Sequence, residues 1–409
     1  MERLEEALYS AMQNGDTEEI HKLQLEFKVD INRTDDIGHT FLYFACKNGH
    51  IEVVKFLLSD NKVWRNSPEA HYGKTPFYIA CENRHIDVVK LLLDEEEVNI
   101  NEEDNHGQSP FHVACWKGHI DIVKLLLNDE RIDINEGDEY DQTPFYMACH
   151  NGHLEVVTLL LSDKRINVNH AQGDGLTPFW ISCSMGHTEI VKLLLNSDRI
   201  WINKANNYGQ TPFLIACQNG HLEVVKVLLN GKKVDPNKEE NNGETPFNIS
   251  CEKGHLGIVK LLLNDERVDI NKEEFHFGQT PISIACYFGY VDIVEYILAS
   301  GREVNLDTKD HEGNTAIDNT RVAQGGRKKS WERDYQFEER KKRYSKIIEL
   351  LESFERNPNE TRTKLGIKLG FVGNFHFNLY FLILFSIFNS IFLFFFFFLK
   401  MHVLLSSIQ

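Results

Sequence analysis

The amino-acid sequence predicts an all-α solenoid made of helix-turn-helix units that are joined by reversing loops. The first observation is a motif, GxTPF or a close variant, which recurs in register at Gly38, Gly73, Gly107, Asp141, Gly175, Gly209, Gly243 and Gly278. The second is that each copy begins a short apolar helix and then an amphipathic one. Units repeated in this way bury a continuous core only by stacking on their neighbours.

The unit from Gly209 to Asn237 shows why these residues fold in this way. Thr211 suits an N-cap, because its hydroxyl accepts a hydrogen bond from a free backbone N–H of the first turn. Pro212 follows at the first helical position, where its missing N–H costs nothing. Gly220 ends the apolar helix in the left-handed conformation, and an amphipathic helix follows over 222–229. The polar, asparagine-rich stretch after it is typical of a loop.

This pattern resembles the ankyrin repeat, with its consensus G-x-T-P-L-H-x-A-A-x-x-G-H, over residues 1–356. The resemblance implies an ankyrin-repeat solenoid whose units are joined by β-hairpin-like loops and present a concave binding surface. The chain departs from the family at the consensus histidine, a position that here holds Tyr43, Tyr78, His112, Tyr146, Trp180, Leu214, Asn248 and Ser283. We therefore expect the hydrogen-bond network of that histidine to be mostly absent or rebuilt. Asp141 replaces a glycine and fits its turn only in the left-handed region.

The sequence is expected to divide into a repeat array, two capping units and a C-terminal extension. The eight full repeats span 38–307, with approximate bounds at 38–72, 73–106, 107–140, 141–174, 175–208, 209–242, 243–277 and 278–312. The flanking segments are an N-terminal capping repeat at 1–37, an interrupted C-terminal capping repeat at 308–356 with a basic insert at 321–343, a linker at 357–375, a hydrophobic segment at 376–399 and a tail at 400–409.

Composition restricts the classes of function. The net charge of −17 argues against nucleic-acid binding, which needs a basic surface. The eight cysteines, Cys46 to Cys286, and seven histidines, His50 to His255, each occupy one fixed position of their own repeat. We interpret the cysteines as small buried apolar residues and the histidines as hydrogen-bonding residues of the turn, not as metal ligands. Eight free thiols fit a reducing compartment, and we expect a cytoplasmic rather than a nuclear protein.

Charged residues on the second helices predict a solvated outer face. They form acid–base pairs three residues apart: Glu52/Lys55, Asp87/Lys90, Asp121/Lys124, Glu189/Lys192 and Glu223/Lys226. The basic insert, with Arg327–Lys329 and Arg340–Arg343, is interpreted as a solvated, partly disordered insertion. A nuclear-import or acidic-partner role is the alternative for the insert.

The hydrophobic segment from Leu379 to Leu399 holds 21 residues without a charge, which as a helix would span about 30 Å of bilayer. Lys364 and Lys368 precede it, which favours a membrane anchor with the repeats in the cytosol. No N-terminal signal peptide is recognised. A second interpretation stays open, because the run Phe394–Phe398 has the composition of translated T-rich DNA and so could come from an incorrect gene model.

No catalytic motif is recognised, and we expect neither an enzyme nor a cofactor or metal site. The expected function is a monomeric scaffold or adaptor that binds an unknown protein partner, held at a membrane through Leu379 to Leu399. The alternative is a soluble regulatory or substrate-receptor subunit of an enzyme complex, such as a ubiquitin ligase or a phosphatase. Function should lie where the repeats differ, which selects as partner-binding candidates Lys47, Glu82, Trp116, Lys117, Tyr140, His150, Trp180, Met185, Tyr208, Gln218, Glu252, Phe277 and Tyr287.

Overall fold

The computed structural model describes residues 10–11, 14–27 and 30–371. This part of the chain contains 20 helices and no strand, apart from an isolated bridge between Thr34 and Thr40. Its helices follow one another as helix-turn-helix pairs, so the predicted all-α repeat architecture is confirmed.

The chain divides into two compact units between Asn241 and Asn242. The helices of the first unit are α1 (Thr17–Phe27), α2 (Phe41–Asn48), α3 (Ile51–Leu58), α4 (Pro76–Glu82), α5 (Ile86–Leu93), α6 (Pro110–Lys117), α7 (Ile120–Leu127), α8 (Pro144–His150), α9 (Leu154–Ser162), α10 (Pro178–Ser184), α11 (Thr188–Leu195), α12 (Pro212–Gln218) and α13 (Leu222–Gly231). Those of the second unit are α14 (Pro246–Glu252), α15 (Leu256–Leu263), α16 (Pro281–Phe288), α17 (Val291–Ala299), α18 (Ala316–Gly325), α19 (Asp334–Arg356) and α20 (Pro358–Lys368).

The first helix of each repeat begins at the predicted cap. Thr211 Oγ1 accepts a hydrogen bond from the backbone N–H of Leu214 at 3.1 Å, and Pro212 is the first helical residue of α12. The same cap recurs in the other repeats, at Thr40, Thr75, Ser109, Thr143, Thr177, Thr245 and Thr280. Asp141 adopts the left-handed region at φ 61°, as its turn requires, and its carboxylate lies 2.7 Å from His170 Nε2.

The cysteines line the core of the repeats. All eight are buried and none forms a disulfide. Burial raises the pKa of the Cys149 thiol to about 12, so that the thiol stays neutral at physiological pH. The prediction that these cysteines are buried apolar residues is confirmed.

An asparagine at the end of most loops holds the following repeat. Asn135 Nδ2 donates to the backbone carbonyl of Arg165 at 2.9 Å, while its Oδ1 accepts from the N–H of Asn167 at 2.7 Å. One amide can make both bonds because it carries a donor and an acceptor. Both bonds recur at Asn32, Asn66, Asn101, Asn169 and Asn271. The asparagine-rich loops therefore join neighbouring repeats as well as reversing the chain.

The histidines also join successive repeats. His153 Nε2 donates to the carbonyl of Trp116 at 2.7 Å. Its ring lies so close to Gly118 that a Cβ at that glycine would come within 2.5 Å of the ring. The same bond to the preceding repeat is made by His85, His119, His187 and His221. The predicted hydrogen-bonding role is confirmed, with the partner in the preceding repeat.

Four of the five predicted acid–base pairs form on the second helices, with N···O distances of 2.6–3.8 Å, at Glu52/Lys55, Asp87/Lys90, Glu189/Lys192 and Glu223/Lys226. Asp121 differs, because its carboxylate binds Arg84 Nε of the preceding repeat at 3.0 Å. Arg84 stands where other repeats have the turn glycine and adopts φ 62°. Exposed pairs of this kind contribute at most about 1 kcal/mol, so they shape the outer face without determining the fold.

The C-terminal region differs from its prediction. The expected disordered insert at 321–343 is largely helical, because α18 continues to Gly325 and α19 begins at Asp334. The expected linker at 357–375 contains α20, which packs against α17 and α19. Asn357 starts α20 by accepting the N–H of Glu360 at 3.2 Å, and Leu365 is buried against its neighbours. The capping unit of the second unit therefore extends to residue 368.

Glu295 of α17 joins these C-terminal helices to the repeats. It is 4% exposed, and its carboxylate lies 2.9 Å from Lys346 Nζ of α19 and 2.5 Å from Lys368 Nζ of α20. Burial opposes ionisation, but the hydrogen bonds from the two lysines hold the pKa of Glu295 below its usual value. The eighth repeat thus carries a glutamate, where most repeats carry a lysine, because this carboxylate binds the two lysines of the C-terminal helices.

The predicted membrane anchor at Leu379 to Leu399 lies outside the described residues, as do the whole segment 376–399 and the tail. Within the described ranges, every helix is too short or too polar to cross a bilayer. The N-terminal capping repeat is described in part, and its helix α1 packs against α3.

Candidate functional site

Most of the predicted contact residues lie at the ends of first helices or at loop tips. Those at the helix ends are exposed or half-buried: Lys47, Glu82, Trp116, Lys117, His150, Met185, Gln218, Glu252 and Tyr287. The aromatic residues at the tips, Tyr140, Tyr208 and Phe277, are 57–63% exposed. These positions are accessible to a partner, and their role in binding stays a prediction.

Trp180 does not belong to this surface. It is 6% exposed, and its Nε1 donates to the carbonyl of Gln210 in the next repeat at 2.8 Å. The prediction that Trp180 contacts a partner is wrong, because its position fills the space between two repeats. Leu214 at the same position of the next repeat is buried as well.

The same position shows how the hydrogen-bond network is rebuilt. Tyr78 donates from its hydroxyl to Asp104 Oδ2 at 3.0 Å, and Asn248 Nδ2 donates to the carbonyl of Lys272 at 3.0 Å. Each of these side chains bonds to the loop that follows its own repeat. Side chains of different length therefore replace the consensus histidine, as predicted.

Two loop tips are one residue longer than the others. Three positions separate Asp104 from Gly107, whereas four separate Glu69 from Gly73, and Glu274 from Gly278. Both longer loops carry a glutamate at this position, whereas the shorter ones carry aspartate, asparagine, glutamine or, at Glu240, glutamate.

The acid at this position holds the loop tip through backbone hydrogen bonds. Asp104 Oδ1 accepts from the backbone N–H groups two and four positions later, at 2.9 and 3.0 Å. The longer carboxylate of Glu274 accepts from the N–H groups two, three and five positions later, at 2.6, 2.8 and 3.0 Å. Glu69 makes the same three contacts in the other long tip. Each long tip is thus fixed by one carboxylate.

The first long tip borders a groove of about 850 Å³ in the first unit, which we call the tyrosine groove. Tyr72 projects from the tip, and Lys74 Nζ lies 5.5 Å from its ring centroid and 2.8 Å from the carboxylate of Glu82. Two further lysines, Lys47 and Lys117, line the groove. The lining of the tyrosine groove thus combines aromatic rings with ammonium groups.

The second long tip borders a groove of about 600 Å³ in the second unit, which we call the acidic groove. Its apolar side chains are Phe277 from the tip, Ile284, Tyr287 and Phe288 from α16, and Val322 from α18. Its carboxylates are those of Glu244, Glu252, Glu274, Asp310 and Glu312, and its lining in the described part of the chain includes no lysine or arginine. The two grooves share a long tip with an exposed aromatic residue, but their charges are opposite in character.

Polar groups inside the array serve the framework. His112 is 1% exposed, and burial lowers its pKa to about 4, although the carboxylates of Asp138 and Asp104 act in the opposite direction. Its Nε2 has no hydrogen-bond partner among the described residues. The described residues hold no cluster of side chains suited to a metal ion.

A family model for ankyrin repeats in three copies matches the chain in five overlapping stretches, 8–104, 63–138, 96–172, 145–240 and 228–310. The chain belongs to the ankyrin-repeat family. Ankyrin repeats indicate a protein–protein interaction domain, which agrees with the exposed side chains of both grooves. The matches end at residue 310, so α18, α19 and α20 lie beyond the ankyrin repeats that the family model describes. A search of curated proteins gives no match.

Sequence reasoning missed part of the acidic groove. Val322 was not predicted as a surface residue, because it comes from the region taken as an insert. A signal for both grooves was nevertheless present in the spacing of the motif glycines. The interval is 35 residues from Gly38 to Gly73 and from Gly243 to Gly278, and 34 between the other starts.

Proposed function

We propose that this ankyrin-repeat chain is a non-catalytic scaffold that binds a protein partner on the surface formed by first-helix ends and loop tips. The observation that carries the proposal is that the residues repeated in every unit and the residues that differ between units have separate roles. Caps, asparagines and histidines bond within and between repeats, whereas the side chains that differ between repeats stand exposed beside one another. A surface that varies on an invariant framework is suited to recognition of one particular partner.

Aromatic residues of the first unit are the strongest candidates for contact. Trp116 is half-buried at the end of α6, and Lys117 Nζ lies 4.2 Å from its ring centroid. Tyr140 is 63% exposed at the next loop tip. Aromatic side chains at such positions contribute most of the binding energy in many interfaces, and a partly ordered tryptophan loses little entropy on binding.

The double variant Trp116→Ala/Tyr140→Ala is expected to lose at least one class of bound protein by about tenfold, since truncating two contact residues costs on the order of 1–2 kcal/mol or more. Affinity capture from cells with quantitative mass spectrometry measures the loss. The matched control is Trp64→Ala/Trp201→Ala, which removes two indoles that are 57% and 59% exposed in another part of the repeats. Equal capture by both variants and the parent chain would reject this surface.

We further propose that the scaffold is a cytoplasmic adaptor held at a membrane through Leu379 to Leu399. The support is the length of that apolar run, 21 uncharged residues, preceded by the lysines of α20. The full chain is expected to stay in the membrane pellet after an alkaline wash, and a chain ending at residue 371 is expected to be released. Release of both chains would contradict the anchor while leaving the scaffold function open.

A further inference from the structure

The acidic groove exposes two apolar side chains at positions where most other repeats carry polar residues. Tyr287 and Phe288 follow the cysteine of the eighth repeat and are 50% and 43% exposed. Their counterparts in the sixth repeat are Gln218 and Asn219. Beside them lie Phe277 and Val322, which are 57% and 71% exposed. Contiguous exposed apolar side chains of this kind mark interaction sites on folded proteins.

These aromatic side chains are held in place before any partner binds. The ring of Phe288 stacks on Tyr290 with centroids 6.1 Å apart and meets the ring of Tyr287 edge-on at 5.3 Å. The hydroxyl of Tyr344 on α19 donates to the backbone carbonyl of Tyr287 at 2.9 Å. A site that is already ordered loses less conformational entropy on binding.

Carboxylates surround this apolar floor. Asp310 and Glu274 hold their loop tips through backbone N–H groups, and Asp310 also accepts from Asn319 Nδ2 at 2.7 Å. Burial disfavours the charged form of Asp310, but these hydrogen bonds hold its pKa below the usual value. Asp310 therefore remains anionic at neutral pH, and hydrogen bonds fix the direction of both carboxylates.

The remaining acids, Glu244, Glu252 and Glu312, also line the groove, and the described lining includes no lysine or arginine. Glu252 pairs with Lys253 at 2.8 Å, yet Lys253 is not among the lining residues. The tyrosine groove is the natural comparison, because it has the same kind of long tip but is lined by three lysines and two glutamates. The acidic character thus belongs to this groove in particular and is not a general property of long tips.

We infer that the acidic groove binds a protein segment that presents an apolar side chain flanked by lysine or arginine. The apolar side chain would lie on Tyr287, Phe288 and Val322, and the flanking cations would meet Glu252 and Glu312. Charge complementarity selects this occupant, because an acidic segment would face five carboxylates in a described lining that includes no lysine or arginine. The inference rests on the proposed scaffold function and names the chemistry of one partner.

The test is selection of twelve-residue peptides from a random display library on the full chain. Each round is counter-selected on the variant Tyr287→Gln/Phe288→Asn, which copies the pair found in the sixth repeat and leaves the net charge unchanged. We expect the enriched peptides to carry lysine or arginine on both sides of an apolar residue. Fluorescence anisotropy is expected to show about tenfold weaker binding to the variant.

A second variant tests the charge. Glu252→Gln/Glu312→Gln is expected to weaken the same peptides about tenfold and to reduce the dependence of binding on salt. A parallel change in the tyrosine groove, Lys47→Gln/Lys117→Gln, is the control and is expected to leave these peptides unaffected.

The outcomes separate the inference from the function on which it rests. Enrichment of acidic peptides, or equal binding to the parent chain and Tyr287→Gln/Phe288→Asn, would overturn the inference. Neither result touches the scaffold function, which is judged by partner capture with the Trp116→Ala/Tyr140→Ala variant. Loss of partners from the Trp116→Ala/Tyr140→Ala variant, together with loss of peptide binding by the Tyr287→Gln/Phe288→Asn variant, would support both the scaffold function and the inference.

Discussion

The Glu295→Lys variant is expected to release α20 and the end of α19 from the second unit. Lysine is the residue found at this position in most other repeats, so the change restores the repeat pattern. It nevertheless replaces the buried partner of Lys346 and Lys368 by a third cation. Glu295 is buried, but the two lysines are 49% and 51% exposed, so solvent screens part of the lost interaction and we expect a cost on the order of 2 kcal/mol. Amide hydrogen exchange of α20 is expected to increase toward that of an unfolded segment.

The control for this variant is Lys226→Glu, the opposite change at the corresponding exposed position of the sixth repeat. Its side chain is 55% exposed, and we expect a change in stability within about 0.5 kcal/mol. The double variant Glu295→Lys/Lys368→Glu should restore much of the protection of α20, since the pair is re-formed with its signs exchanged. Normal protection of α20 in the single variant would show that packing alone holds this helix.

The stability of the first unit is expected to fall as the pH decreases from about 6.5 to about 4, because of His112. The pKa of this histidine is about 4 in the folded chain and about 6.5 when unfolded. Between these values the unfolded chain binds a proton that the folded chain does not, so acid favours unfolding. The contribution is fully present above pH 6.5 and is lost as the pH falls to 4. It amounts to on the order of 3 kcal/mol.

Urea unfolding at pH 7 and pH 5 measures this effect, with about 2 kcal/mol expected between the two conditions. The matched variant is His112→Leu, because the corresponding position of the sixth repeat holds Leu214, which is fully buried. The variant should be nearly insensitive to pH over this range, apart from a smaller contribution of the same sign from His150, whose pKa burial also lowers. A parent chain and a variant with the same pH dependence would contradict the assignment to His112.

The framework could be predicted from the sequence because every part of it is local and repeated. Thr211, Pro212 and Cys217 have the same neighbours in each repeat, so eight copies of one pattern define their roles. The surface was harder to predict. Trp180 looked like an exposed aromatic residue, but whether a side chain points between repeats or outward depends on the neighbouring repeat. Its partner, the carbonyl of Gln210, lies 30 residues away.

The C-terminal cap shows a second limit on what could be predicted from the sequence. Glu295 and Lys368 are separated by 73 residues, and no repeat pattern relates them. The segment 321–343 is polar and basic, which is typical of a solvated insertion. Its helical structure depends on contacts such as that of Arg340 with the buried carboxylate of Glu332, at 2.9 Å. Such contacts occur once in the chain and leave no periodic signal.

The loop asparagines have a consequence for how such a chain can change in length. Asn135 finds its acceptor 30 positions later and its donor 32 positions later, and other asparagines of the array use the same two offsets. Within a unit, loss or duplication of one whole period brings an equivalent pair of backbone groups to each asparagine. The same two bonds also form with one or two extra residues between the paired positions, because Asn66 uses offsets of 31 and 33 and Asn271 uses offsets of 32 and 34. The bonds that join the repeats are thus compatible with growth and shrinkage by complete repeats and with small changes in loop length.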